Sequence, residues 1–398
     1  VCGPNVTDMY AVYYNCYNLT GSPVCGPKVT NMANTYYYCG NLTGSPACGP
    51  NVTGMNRTYQ YCYNLTGSPV CGDSVVDMYN TYDNCYNLTG SPVCGPNVVN
   101  MRNTYQYCSN LTGSPACGEK VADMYGAYQY CNKLTGNPVC GNNVTIMDFT
   151  YANCFRLTGN PVCGDKVVNM GSTFYGCSNL TGSPACGPNV YELVYTYVNC
   201  RNLTGRPAIG NNVFYLNNAY INCTNLTGFV FIGQNVRYMP NTFRGCPNIK
   251  ECNVYVTSAN VSNAVNSFYN SNSLNIYVPE NSTTFNTFAL SSSGQAIKGA
   301  VFWNWINAEN CYYNNSYNLR LIPVSDVVQL YRENELSIVT YTTTNTAERP
   351  VLVTGAINGY GASINGNNVK IYKNGENDII TYMSFNNSQT ITKITIHY

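Results

Sequence analysis

The side chains able to do covalent or metal chemistry are unevenly distributed. Cysteine occurs 22 times in 398 residues, histidine once, at His397, and Asp plus Glu number 18. Twenty of the cysteines fall in two series, Cys2, Cys25, Cys48 and on to Cys186, and Cys16, Cys39, Cys62 and on to Cys246. Such a set could form disulfides, hold zinc or supply nucleophiles. Zinc is disfavoured, since there is no C-x-x-C pair and the single histidine is the penultimate residue. A disulfide framework is disfavoured by substitution: the first series continues as Ile209 and Ile232 while the second persists as Cys223 and Cys246. A bonded thiol would be orphaned there, whereas a small buried apolar group exchanges with Ile. Neighbours within one series would also present parallel Cβ vectors, which suit the bond poorly. The expectation is free, buried, unreactive thiols, with intra-repeat disulfides as the alternative. Cys252 and Cys311, outside both series, could pair with each other.

A hydrolase or transferase needs an acid, a base or a metal. His397 cannot supply a nucleophile–base pair inside the repeats, and Asp77, Asp123, Asp165 and Glu192 read as scattered surface acids. No phosphate-binding glycine loop is present. No catalytic, cofactor-binding or metal-binding residue is assigned, and the chain reads as non-enzymatic. Charged residues are 9% and the net charge is +1, so the basic field that nucleic acid requires is missing. No apolar run approaches the length that spans a bilayer, so membrane insertion is not expected.

Those cysteines are positioned by a 23-residue repeat: VCGPNVTDMYAVYYNCYNLTGSP is followed by VCGPKVTNMANTYYYCGNLTGSP, and eleven such units fill residues 1–253. A degenerate twelfth covers about 254–278. A fixed period of this size is the mark of a solenoid, each coil burying its apolar face on its neighbours. The core columns are an aromatic series (Tyr13, Tyr36, Tyr59 and on to Phe243 and Phe268), a Leu series from Leu19, a Val series from Val6 and a Met series from Met9. Phe at 174, 243 and 268 suggests that the ring, not the hydroxyl, is needed. Gly3, Gly21, Pro23 and their equivalents mark tight corners. The Asn series from Asn18 is expected to form an amide ladder, broken at Lys133 and Arg156; as N-L-T triplets the same residues also read as glycosylation acceptors.

The segment YYNCYNLTG, with ring, Cys and Leu three residues apart, resembles the repeat core of BspA-like leucine-rich-repeat proteins. The resemblance covers about 70% of the chain, using Tyr for Phe and Met for an Ile, with Pro-Val-Cys-Gly in place of the family's strand. It implies a mainly β solenoid with a short strand per coil, of the kind found on surface adhesins and phage structural proteins.

After residue 279 the composition shifts to Ile, Thr and Ser, and Val351–Ile357, Val369–Tyr372, Ile379–Phe385 and Thr390–Tyr398 read as strands joined by Asn-Gly turns. The expected organisation is a leucine-rich-repeat-like solenoid over 1–279, a capping segment over 280–325 that docks on the last coil, and an all-β antiparallel domain over 326–398. The chain opens on a full-strength repeat, so either further repeats are expected to precede it or its N-terminal end is expected to be covered by self-association or another chain.

What remains for function is surface. Tyr14, Tyr37, Tyr38, Tyr61, Tyr107 and Tyr130 lie just after the core ring and are expected to stack into a Tyr/Asn/Gln binding strip. The expected role is an extracellular, cell-surface or virion recognition protein that binds a host-surface glycan or protein without a cofactor. The rival is a fibre, filament or virion decoration in which the repeats are a spacer.

Overall fold

The computed structural model describes residues 2–233, 235–249, 251–254 and 264–269, and between 275 and 397 the strands named below. They form two compact units, one holding the coils up to residue 249 with residues 264–269, the other the strands from Glu251 onward.

In the first unit one bonding scheme recurs in every coil. In the coil starting at Val24, the N–H groups of Met32, Asn34, Tyr36 and Tyr38 donate to the carbonyls of Gly54, Asn56, Thr58 and Gln60 in the next coil, at 2.9–3.0 Å. The intervening N–H groups turn back: Thr35 donates to Met32, Tyr37 to Asn34 and Cys39 to Tyr36. Alternate amides thus close turns while the others stitch coils together. Up to residue 228 the expected strand per coil is absent, and the coils carry a column of isolated parallel bridges instead, Asp8 to Asn31, Asn31 to Gly54 and on to Tyr238. Backbone handedness keeps these bridges from lengthening into strands past the bridge residue. Asn34, Arg57, Asn80, Asn103 and Phe149 form one column with φ of 53–58°, and Asn15, Tyr38, Tyr61, Asn84, Tyr107 and Tyr130 a second with φ of 60–65°. Extended pairing cannot run through left-handed residues. Asn and Gly tolerate this region best, which accounts for much of the Asn in the sequence. Phe149 and Tyr195 in the first column and the four Tyr in the second occupy it against their preference.

The two expected glycine corners separate physically. Gly67 has φ +81°, a true left-handed corner, whereas at Gly49 an added Cβ would lie 2.9 Å from the Gly26 carbonyl oxygen of the coil below. The Gly3 series therefore marks a close coil approach as well as the start of a turn, in which Val52 N–H donates to Gly49 O at 3.3 Å. The Asp series is also corrected. Asp77 and Asp123 sit at one repeating phase, the bridge column, where each carboxylate accepts from the amide two residues on (Tyr79 at 2.9 Å, Tyr125 at 2.8 Å).

Core rings from Tyr36 to Phe268 are almost fully buried and stack at 5.2–5.7 Å between centroids. Their hydroxyls are not idle, contrary to the inference from the Phe substitutions. Tyr105 Oη accepts from Val93 N–H at 3.1 Å and donates to Val93 C=O at 2.7 Å, and the other core tyrosines make the same clasp or its donor half. Phe174 lacks the hydroxyl that would have clasped Val162, and nothing in the structure explains this exchange. A second buried polar column adds to this: Thr58 Oγ1 donates to Met32 O and Met55 O, at 2.9 and 2.8 Å, so one hydroxyl ties two coils.

The thiols divide likewise. Cys39, Cys62, Cys85 and their successors to Cys246 are fully buried, each Sγ donating to the ring-column carbonyl of the preceding coil, as Cys108 does to Tyr82 O at 3.0 Å. The series from Cys2 to Cys186 is only half-buried, with longer contacts to its own next carbonyl, as Cys48 to Gly49 O at 3.5 Å. This explains why the outer series yields to Ile and the inner one does not: only the inner one donates a good hydrogen bond. The 21 cysteines among the described residues carry free thiols, Cys252 included; the Cys311 side chain lies outside them. Burial raises the thiol pKa in both series, to about 11 at Cys39, Cys48 and Cys186 and about 12 at Cys71, Cys163 and Cys177. The amide ladder from Asn18 is a weak feature of exposed residues, with Asn87 to Asn64 and Asn110 to Asn87 at 3.5 Å, and Lys133 continues it by donating to Asn110 at 2.7 Å. The firmer ladder runs through Lys28, Asn51, Asn97 and Lys120, as Asn51 Nδ2 to Pro27 O at 2.9 Å shows.

The first unit also holds β1 (Phe229–Ile232), its one strand among the described residues. In the second, β2 (Glu251–Val254), β3 (Asn275–Val278) and β4 (Val301–Ile306) pair in parallel. From β4 the chain runs antiparallel through β5 (Cys311–Asn314), β6 (Leu319–Val324), β7 (Val327–Arg332) and β8 (Ser337–Thr344), with β12 (Thr390–His397) beside β8. A second antiparallel sheet holds β9 (Tyr360–Asn365), β10 (Asn368–Lys373) and β11 (Ile379–Ser384). Three of the four expected strands thus match β10, β11 and β12, and Val351–Ile357 lies outside the described residues. The boundary expected at 325 falls between β6 and β7, which pair directly.

Replacing Tyr105 by Ala is expected to cost about 3–5 kcal/mol in urea denaturation, and replacing it by Phe about 0.5–1.5 kcal/mol for the lost clasp. An Ala variant as stable as the parent would refute the core assignment. For the thiols, alkylation of the native chain followed by intact mass should modify outer-series cysteines slowly and inner-series cysteines only after unfolding; mass-locked disulfides in the repeats would contradict this.

Candidate recognition face

The rings expected to line one strip divide into two groups. Tyr14 stacks on Tyr37 at 4.8 Å, Tyr37 meets Tyr61 edge-on at 5.7 Å, and Tyr38 meets Tyr61 at 5.1 Å. Tyr63 and Tyr86, stacked at 5.5 Å, extend this group through Tyr38 and Tyr61. Tyr107 and Tyr130 form a separate stacked pair at 4.7 Å. Tyr14, Tyr38 and Tyr107 are exposed (50%, 41% and 37%), while Tyr37, Tyr61 and Tyr130 are half-buried. Tyr63 and Tyr86, whose phase after the inner cysteine also reads from the sequence as part of the strip, belong to the face.

Between the two groups lies a polar node, and here the expected Asn/Gln surface is corrected. Gln60 and Asp83 are 5% and 4% exposed, so they form a floor rather than a strip. Gln60 Nε2 donates to Asp83 Oδ2 at 2.8 Å, Asn84 Nδ2 donates to Asp83 Oδ1 at 2.7 Å, and the Tyr86 hydroxyl donates to Asn84 Oδ1 at 2.7 Å. Burial raises the Asp83 carboxyl to about 6 despite these two donors. Asp148, on the first left-handed turn of another coil, is raised to about 6 by burial, against the Gly171 amide it accepts from at 2.9 Å. Burial also raises Tyr37, Tyr61 and Tyr107, so these rings stay neutral hydroxyl donors at neutral pH.

A second aromatic group was missed. Tyr191 stacks on Phe214 at 5.2 Å, Tyr215 on Tyr238 at 5.1 Å, and Phe214 meets Tyr215 edge-on at 4.8 Å, with the Arg237 guanidinium 5.6 Å from the Phe214 ring. The signal was present in the columns: the phases holding Thr, Val, Asp or Asn in most earlier coils turn aromatic only from Tyr191 onward.

No family model matches this chain, and no curated protein matches it. Among solved structures it is similar to a leucine-rich repeat protein from Bacteroides ovatus, at 15% identity and a TM-score of 0.40, covering 75% of this chain and 87% of that one. It is also similar to a leucine rich cell surface protein from Faecalibacterium prausnitzii, at 16% identity and a TM-score of 0.27, covering 65% of this chain and 90% of that one. The solenoid itself rests on the bonds between coils described above.

Asp83 and Asp148 titrate higher in the folded chain than an ordinary aspartate, so folding takes up protons as pH falls. The stability they confer is complete below about pH 4 and is lost as pH rises through about 6. Urea midpoints should therefore fall between about pH 4.5 and pH 7, and Asp83→Asn should flatten part of that fall and raise the midpoint at neutral pH. A midpoint that climbs steadily over the same range would contradict the burial of these carboxyls.

Proposed function

We propose that this protein is a non-enzymatic recognition protein, displayed outside the cell on a cell surface or a virion, that binds a host-surface glycan or protein through the Tyr face of its first six coils. The observation that carries this reading is backbone strain. Tyr38, Tyr61, Tyr107 and Tyr130 hold φ of 60–65°, where Asn15, Asn84, Asn153 and Asn222 sit in other coils of the same column. A bulky residue in this region costs on the order of 1–2 kcal/mol relative to its preferred backbone. Asn meets the fold's requirement at that position without a ring. The core already holds one ring per coil, so these rings serve no packing need that the coil itself imposes. Strained, bulky residues kept against the local preference concentrate at working surfaces. Tyr is also the residue that gives the largest rigid contact for the least lost side-chain entropy.

The test replaces rings by the residue the column otherwise uses. The triple variant Tyr38→Asn, Tyr61→Asn, Tyr107→Asn should keep the parent's circular dichroism and melt within a few degrees of it, because left-handed strain is relieved as ring contacts are lost. Binding to a glycan array and to host cells should drop at least tenfold. Binding that survives the triple variant would move recognition off this face and leave the coils as a spacer, the fibre or decoration role.

A further inference from the structure

We propose that the fourth coil, residues 70–92, holds a one-ring notch in this face and that its occupant is a saccharide ring of an uncharged glycan. The inference deepens the function proposed above and rests on it. The second left-handed column reads Tyr38, Tyr61, Asn84, Tyr107, Tyr130 over five successive coils. Asn84 has φ 63° against 60–65° for the four tyrosines, so the backbone is the same and only the side chain changes. One ring is missing from a column of rings. Tyr107 covers one of its faces with Tyr130, at 4.7 Å and 7° between planes, which leaves the other face toward the coil of Asn84.

The width of the gap selects the occupant. Coils repeat at about the spacing of neighbouring strands, so a ring filling the place at Asn84 has roughly 5 Å to the positions on either side. Rings one coil apart in this column stack at 4.7 Å, so the place holds one six-membered ring, and a pyranose chair, which lies on an aromatic face through its axial C–H bonds, has that size. The floor agrees. Asn84 spends one N–H on Asp83 Oδ1, at 2.7 Å, and one lone pair on the Tyr86 hydroxyl, at 2.7 Å. It keeps a second N–H and a second lone pair, and the Tyr86 oxygen can still accept. A donor and two acceptors side by side match the hydroxyls on neighbouring carbons of a sugar. Asp83, 4% exposed and held on its other oxygen by Gln60 at 2.8 Å, is a positioning residue that fixes the Asn84 amide.

Saturation-transfer NMR on the full chain, with methyl glycosides of glucose, galactose, mannose and N-acetylglucosamine at millimolar concentration, tests this. At least one should receive saturation, most strongly at its ring C–H protons. Asn84→Tyr fills the notch with the residue four neighbouring coils carry, so it should fold as the parent does and lower glycoside affinity at least tenfold, while Tyr10→Ser should change nothing. No transfer to any of the four glycosides would overturn the proposal and leave the Tyr face to its own cell-binding test. A glycoside that still binds the Asn84→Tyr variant but not the triple Asn variant would keep the face and overturn the notch.

Discussion

The structure depends on the hydrogen bonds that run from every second amide of one coil to the carbonyls of the next. They repeat at a fixed offset, so each side chain lies beside its own equivalent and the sequence becomes a set of columns. The remaining amides close turns within the coil, and closing those turns requires left-handed residues at two phases. Every other feature follows from meeting that constraint in a narrow coil. Asn and Gly supply the handedness, glycine allows neighbouring coils to touch at Gly49 and its equivalents, and the core must satisfy its polar atoms without water. The buried Thr, Tyr and Cys columns do this. Each pairs a side-chain donor with a main-chain carbonyl, which makes an unusually polar composition compatible with a dry core.

Much of this was legible in the columns of the sequence, because burial acts on all coils alike. The aromatic, Leu, Val and Met series are the buried ones, and the exchange of Cys for Ile at 209 and 232 separates two kinds of thiol position. What was not legible is geometry that leaves the same residue type in place for another reason. The resemblance implied a short strand in every coil, yet the coils up to residue 228 carry single bridges, since residue type alone does not reveal φ. The ring hydroxyl reads as dispensable because Phe replaces Tyr, yet the core tyrosines from Tyr36 to Tyr220 use it to clasp the backbone twelve residues earlier. Asp77 and Asp123 read as scattered acids although they occupy the bridge phase. On the face, the six expected tyrosines fall in two adjacent phases, but phase does not show that Gln60 and Asp83 turn inward and divide the rings into two groups.

The division between structural and free positions is what gives the face its meaning. Inner columns are invariant in kind because each does a packing or bonding task in every coil. The outer left-handed column can be served by Asn or Gly, and the coils that place Tyr there add something the backbone does not ask for. The same logic marks the aromatic group from Tyr191 to Tyr238, where rings replace small polar residues at one end of the array.

Amide hydrogen exchange resolved by residue tests the coil-to-coil bonding most directly. The amides of Tyr36, Tyr59, Tyr82, Tyr105 and Tyr128, each donating to the next coil at 2.8–2.9 Å, should be protected together with those two residues to either side, giving protection with the period of the repeat. The amides of Cys25, Cys48, Cys71 and Cys94 should exchange fast, since they make no backbone bond between coils. Protection centred on the Val-Cys-Gly segments instead, as a strand there would produce, would contradict the turn-and-bridge coil on which the columns, the strained rings and the face all depend.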